Sequence, residues 1–263
     1  MHSVSPPNTA EAATVLRLRA AGCVFAEDEA HLLHEAATGS VHLETLVTRR
    51  TGGEPLEQIL GWSAFAGLRI LLEPGVFVPR TRTEFLAETA AALLRPGDVA
   101  VDLCCGAGAI AAVLAARVPG LDLHAADIQP EAVHCARRNL AGRGQVHAGD
   151  LFGALPADLT GRVGVLVANT PYVPTDAIAR MPPEARDHEP HVTLDGGPDG
   201  LDVQRRLAEG AGRWLAPGGY LLVETSSAQG PTAARIFSGH GLVAQVLTDD
   251  EVGATVVRGR RPG

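Results

Sequence analysis

The stretch VAVDLCCGAGAIAAVLAA, Val99 to Ala116, sets the fold. A β-like run, Val99 to Leu103, passes through two cysteines and a glycine turn into an alanine-rich helical run, Ala109 to Arg117. Gly106 permits a tight turn, and Gly108 lets backbone approach a ligand closely. The helix N-terminus at Ala109 offers free N–H groups and positive potential, which suit a carboxylate or a phosphate.

The pattern continues toward the C-terminus. Leu121 to Ala126 reads as the next strand, and Pro130 opens a helix ending near Leu140, as suits proline in a first turn. Gln145 to Ala148, Val163 to Ala168 and Tyr220 to Glu224 read as further strands. Such β-α alternation implies a parallel sheet with helices on both faces. The end differs. Leu242 to Leu247 and Thr255 to Arg258 are β-like, and the gap between them is too short for a parallel crossover, so one of them runs antiparallel. Toward the N-terminus, Leu68 to Leu72 and Val76 to Val78 flank EPG and read as a hairpin. Before that, Thr9 to Ala21 and Glu27 to Ala37 read as short amphipathic helices.

The 263 residues are 46% apolar and 20% charged, a soluble globular composition with room for one or two domains. A net charge of -8 argues against nucleic acid as a direct substrate and against an anionic membrane surface. All 22 basic residues are arginines, which excludes a catalytic lysine. Cys23, Cys104, Cys105 and Cys135 form no CxxC pair, which fits a reducing cytoplasm. No leader pattern opens the chain, and no run of about 18 strongly apolar residues is present. The expectation is a cytoplasmic protein. His31 and His34 lie about one helical turn apart, without further ligands at zinc spacing, so no metal site is expected.

Asp127 closes the second strand about 20 residues beyond the glycine turn, where an acid suits ribose hydroxyls. Asp150, after the third strand, is placed to reach an adenine amino group. The glycines give only GAG, without the third glycine of the dinucleotide fingerprint, so a plain structural turn stays open beside a cofactor site. Two acids for adenosine and a helix terminus for a carboxylate together suit S-adenosyl-L-methionine. The stretch VANTPYVP, Val167 to Pro174, ends a buried strand on Asn169, and its prolines cannot continue a central strand.

The ordered set PRTRTEF, DLCCGAGAI, ADI, GDLF, NTPYVP, PEARDHEP, LDGGPDGLDV and LAPGGYLLVE resembles the HemK-type protein-(glutamine-N5) methyltransferases, which modify peptide-chain release factors. The resemblance covers Gly53 to about Glu224. It implies a Rossmann-like α/β fold, the seven-stranded class I S-adenosylmethionine-dependent methyltransferase fold, with a small N-terminal helical domain. The chain then divides into a helical substrate-recognition domain (1–61), a β-hairpin connector (62–80) and the methyltransferase domain (81–263). The resemblance also implies cofactor contacts from Asp102, Cys104, Gly106, Gly108, Asp127, Ile128, Asp150, Leu151 and Asn169, a catalytic tetrad of Asn169, Thr170, Pro171 and Tyr172, and an active-site loop with Arg80, Thr83 and Glu84. Four features depart from the family pattern. Cys104 replaces the first glycine of the loop, Thr170 replaces a proline of NPPY, PRT replaces PRP with Arg82 where an acid is common, and the helical domain is short.

An amide nitrogen is a poor nucleophile, so the catalyst must work by orientation. The Asn169 side-chain oxygen can accept one N–H of an acceptor amide and the carbonyl of residue 170 the other, while Tyr172 covers the flat group and Pro171 stiffens the turn. Residue 170 precedes a proline and is biased toward extended backbone whether it is Pro or Thr. The expected acceptor is the Gly-Gly-Gln glutamine of a release factor. A small-molecule amide or amine, adenine N6, and a non-catalytic cofactor-binding paralogue stay open. His188 and His191 lie near the expected substrate loop, and Cys104 and Cys105 read as packing groups. Thr83 can also serve as a helix cap. The glycines of LDGGPDGLDV read as a tight loop, either closing over the site or forming a surface turn.

Overall fold

The computed structural model describes residues 9–263. The expectation about a leader pattern, and the first eight residues of the expected helical domain, lie outside the described residues. Four helices come first: α1 (Thr9–Ala20), α2 (Ala26–Ala36), α3 (Ser40–Thr51) and α4 (Leu56–Leu60). They bury their own apolar cluster, with Leu18, Leu33, Leu46, Val47 and Ile59 at its centre. Between α2 and α3 Arg50 meets Glu29 at 2.6 Å, and the side chains of both are only 11% exposed, so salt screens this pair less than a surface ion pair.

The hairpin differs from its expected position. Its strands are β1 (Trp62–Phe65) and β2 (Leu68–Leu71), paired antiparallel around Ala66 and Gly67. Both turn residues have positive φ (49° and 78°), as a two-residue hairpin turn of the I′ kind requires. Val76 to Val78 forms no strand. EPG does make a turn, with Val76 N–H donating to the Glu73 carbonyl at 3.1 Å, but the apolar spacing of Val76 and Val78 reflects burial in the core.

The remaining elements are α5 (Thr83–Ala91), β3 (Val99–Leu103), α6 (Ala109–Arg117), β4 (Asp122–Asp127), α7 (Pro130–Asn139), β5 (Gln145–Ala148), β6 (Val163–Ala168), α8 (Pro183–His188), α9 (Asp202–Trp214), β7 (Leu215–Glu224), α10 (Gly230–Gly239), β8 (Val243–Asp249) and β9 (Ala254–Arg260). The strands build one seven-stranded sheet in the order β5-β4-β3-β6-β7-β9-β8. Strands β3 to β7 are mutually parallel, and β9 runs antiparallel to both neighbours, as the short final connection requires. This is the Rossmann-like methyltransferase architecture.

Alternation along the strands splits the core. Ala100, Val165, Val167 and Leu222 pack under α5 to α7, whereas Val101, Leu103, Leu166 and Ala168 pack under α9 and α10. The chain leaves β3 for β4 and β5, then returns on the other side of β3 as β6. That reversal opens a crevice at the carboxyl ends of β3 and β6, where open α/β sheets bind ligands. No helix among the described residues is long and apolar enough to cross a membrane.

Candidate active site

A cleft of about 280 Å³ occupies this crevice. One wall is the turn after β3. Gly106 (φ 54°) lines the cleft, and nothing lies within 4 Å of the place a Cβ would take there. Its N–H donates to Asp127 Oδ2 at 2.9 Å, and the Gln129 N–H donates to Asp127 Oδ1 at 2.9 Å. Burial pushes the Asp127 carboxyl above its ordinary range, and these backbone N–H groups oppose that rise. Ile128, 59% exposed, lines the same wall.

Two residues expected to touch a cofactor do other work. Gly108 faces α7, where a Cβ would come 3.2 Å from Ala136 Cβ, so its close approach serves helix packing. Asp102 lies outside the cleft wall and is fully buried. The pleat turns it toward α6, where Oδ2 accepts the Ala111 N–H at 3.0 Å and Oδ1 has no partner. Burial, seconded by the charge of Asp127, pushes its carboxyl up to about 8. Asp102 therefore ties β3 to α6 and shapes the turn indirectly.

Cys104 lines the cleft in a left-handed conformation (φ 56°) that glycine adopts without strain. Burial and the nearby carboxylates push the thiols of Cys104 and Cys105 well up, away from the reactive thiolate. At the far end Asp150 and Leu151 line the cleft, and Asp150 Oδ2 pairs with Arg206 Nη2 of α9 at 2.6 Å. No local pattern marks Arg206, which sits in an ordinary arginine pair on an amphipathic helix.

The other end is built by the NTPY segment after β6, which lines the cleft from Asn169 to Tyr172. Asn169 Nδ2 donates to Thr83 Oγ1 at 3.3 Å. Thr83 is buried and holds this asparagine, and the cap position of α5 is taken by Arg82, without a side-chain cap bond. No donor among the described residues reaches Asn169 Oδ1 or the Thr170 carbonyl. The Thr170 hydroxyl points inward to Gln204 Nε2 at 3.4 Å. The Tyr172 hydroxyl donates to Glu224 Oε1 at 2.9 Å and accepts from Arg82 Nη2 at 2.9 Å. Arg82 Nε also reaches Glu224 Oε1 at 3.1 Å. Burial, followed by the charge of Glu224, pushes the Tyr172 phenol upward, so it stays a neutral donor.

Arg80 lines the cleft and pairs with Glu189, a buried residue that sequence reading did not single out. Glu84, His188 and His191 lie outside the cleft wall. His34 bonds Thr14 Oγ1 at 3.0 Å, and His31 faces Glu11 and Glu35 at 3.5 and 3.4 Å, so the two histidines diverge. The glycine loop packs on the backbone of the NTPY segment. Val173 N–H donates to the Leu194 carbonyl at 3.1 Å, and Gln229 Nε2 donates to the Tyr172 and Asp199 carbonyls at 2.9 Å each. The loop is a rear support for that segment.

A family model described as Methyltransferase small domain matches residues 67–181. The chain is 40% identical, over 81% of its length and 81% of the other's, to a protein from Streptomyces coelicolor named release factor glutamine methyltransferase. It is 39% identical to a protein from Streptomyces pristinaespiralis named 4-amino-L-phenylalanine/4-methylamino-L-phenylalanine methyltransferase, over 74% of this chain and 69% of that one. The crystal structure of a methyltransferase from Pyrococcus furiosus superposes with a TM-score of 0.57 at 18% identity, over 75% of this chain and 91% of that one, a likeness of fold.

Proposed function

The chain belongs to the release factor glutamine methyltransferase family, and from that membership we propose that it moves a methyl group from S-adenosylmethionine to the side-chain amide nitrogen of the glutamine in a release factor's Gly-Gly-Gln tripeptide. In this reading residues 1–61 recognise the acceptor protein, 62–80 connect, and 81–263 carry the chemistry. Among the described residues Cys23, Cys104, Cys105 and Cys135 form no disulfide, which suits work in a reducing cytoplasm.

The cleft's residues fit the cofactor. Asp127 offers a buried carboxylate to ribose hydroxyls, Gly106 leaves open space against its backbone, and Asp150 keeps Oδ1 clear of Arg206 for an adenine amino group. The bound cofactor supplies an electrophilic methyl group on a positively charged sulfur.

The orientation of the Asn169 amide carries the reading. Its NH2 end is held by Thr83, which leaves Oδ1 to accept one N–H of the acceptor amide. The Thr170 carbonyl, without a donor from the described residues, accepts the second. Both hydrogens of a planar amide are then fixed, and its nitrogen is aimed along one line. Orientation of this quality can lower a barrier by about 7–11 kcal/mol. Tyr172, clamped by Glu224 and Arg82, holds its ring against the cleft. Labelled methyl transfer to a purified release factor tests the proposal, with Asn169→Ala as control. Near-wild-type transfer by that variant would end the clamp mechanism.

A second reading changes the acceptor to a small amine that carries a carboxylate. It draws on Arg82, which brings a guanidinium to this end of the cleft where the family commonly has an acid, and on the relative named for an amino-acid substrate. Turnover of 4-aminophenylalanine without transfer to a release factor would select it.

A further inference from the structure

We propose that Gln204 of α9 is a positioning residue that sets the Thr170 carbonyl, in place of the proline ring absent from this chain. The inference rests on the reading of residues 169–172 as the acceptor clamp.

Three buried groups carry it: Thr170 is 2% exposed, Gln204 0% and Glu224 1%. Gln204 Nε2 donates to the two sides of the clamp's base. One bond goes to Thr170 Oγ1 at 3.4 Å, the other to the Glu224 carbonyl at 3.1 Å. A carbonyl only accepts, so the amide must present its NH2 end there, and Oε1 lies buried without a partner. Glu224 in turn takes the Tyr172 hydroxyl on Oε1. One continuous path thus runs from Thr170 through Gln204 and Glu224 to Tyr172, across the back of the tetrad.

Chain stiffness explains why this chain needs the brace. A proline at 170 has its φ fixed by the ring, which removes one of the two backbone rotations that aim its carbonyl. Threonine has no such constraint, and the following Pro171 biases the backbone without locking it. Tying the threonine side chain to a helix and a strand end restores a fixed direction. The bland alternative is that Gln204 only satisfies the Glu224 carbonyl, in which case the hydroxyl of Thr170 is idle.

Kinetics on the full chain with a release factor acceptor separate the two, with cofactor affinity from calorimetry. Gln204→Met and Thr170→Val should each lower kcat about three- to tenfold, the worth of one hydrogen bond, with acceptor KM and cofactor Kd within about twofold. The double variant should be no slower than either single one. Thr170→Ser, which keeps the hydroxyl, should recover most of the loss, and adding Thr170→Pro to Gln204→Met should restore turnover. Full turnover by Thr170→Val, or a slow Gln204→Met that Thr170→Pro fails to rescue, overturns the proposal. The Thr170 variants decide the matter even if Gln204→Met does not fold. Retained activity in Asn169→Ala would sink the clamp itself, whereas loss there with an unaffected Thr170→Val sinks only the brace.

Discussion

Asn169 and Thr83 lie 86 residues apart in the chain, yet Nδ2 of the first donates to Oγ1 of the second at 3.3 Å. The contact joins the end of β6 to the start of α5 and fixes the Asn169 side chain at the cleft. Thr83→Val removes the acceptor and keeps the shape. We expect a fall in kcat of about three- to tenfold and a stability loss of about 1 kcal/mol, read from steady-state kinetics and urea unfolding. Thr83→Ser should keep most of the rate.

Cys104 pays for its left-handed backbone. The conformation costs a residue with a Cβ about 1–2 kcal/mol, and glycine's extra freedom in the unfolded chain returns part of that. Cys104→Gly should therefore raise stability by about 0.5–1 kcal/mol. A lower unfolding midpoint would show that the buried part of the thiol outweighs the strain.

Asp102 makes stability depend on pH. Its folded carboxyl is pushed up to about 8, above the unfolded value of 3.8. Between these limits the folded chain holds a proton that the unfolded chain has released. This contribution is complete below the unfolded value and fades as pH rises toward about 8, with a slope of up to about 1.4 kcal/mol per pH unit. Asp102→Asn cannot ionise, so its unfolding free energy should decline less from pH 5 to pH 8 than that of the wild type. Parallel curves for the two proteins would refute the assignment.

Gly200 stands in a left-handed conformation (φ 78°) directly against the Tyr172 carbonyl and the Gln229 amide, and a Cβ there collides with both. Gly200→Ala should cost more than about 2 kcal/mol and slow methyl transfer. The paired measurement is thermal unfolding with kcat on the same preparation.

The strand, glycine turn and helix from Val99 to Arg117 were legible because local signals agree there: β-branched residues, then glycines, then alanines. NTPY was legible because prolines cannot continue a buried strand. The hairpin was misplaced because its turn puts Ala66 at positive φ, and alanine gives no turn signal. Leu43, Leu46 and Val47 repeat at helical spacing and offered a way to find α3. Gly108 reads as a close approach to a ligand because pattern alone cannot say whether the neighbour is a ligand or a helix, and the resemblance that implies a cofactor contact for Asp102 does not say which way the pleat turns it. Arg206, Glu189 and Gln204 were out of reach, since each acquires its role from a partner brought near only by folding.

The ionic balance of the cleft bears on what leaves it. Arg80, Arg82 and Arg206 are each matched by a carboxylate, Glu189, Glu224 and Asp150. Asp127 and Asp195 also border the cleft and have no guanidinium of their own among the described residues, so this wall carries a surplus of acidic groups. In the proposed reaction the sulfur enters as a cation and ends neutral. A wall of this sign would attract the charged cofactor more strongly than the neutral sulfide left after transfer.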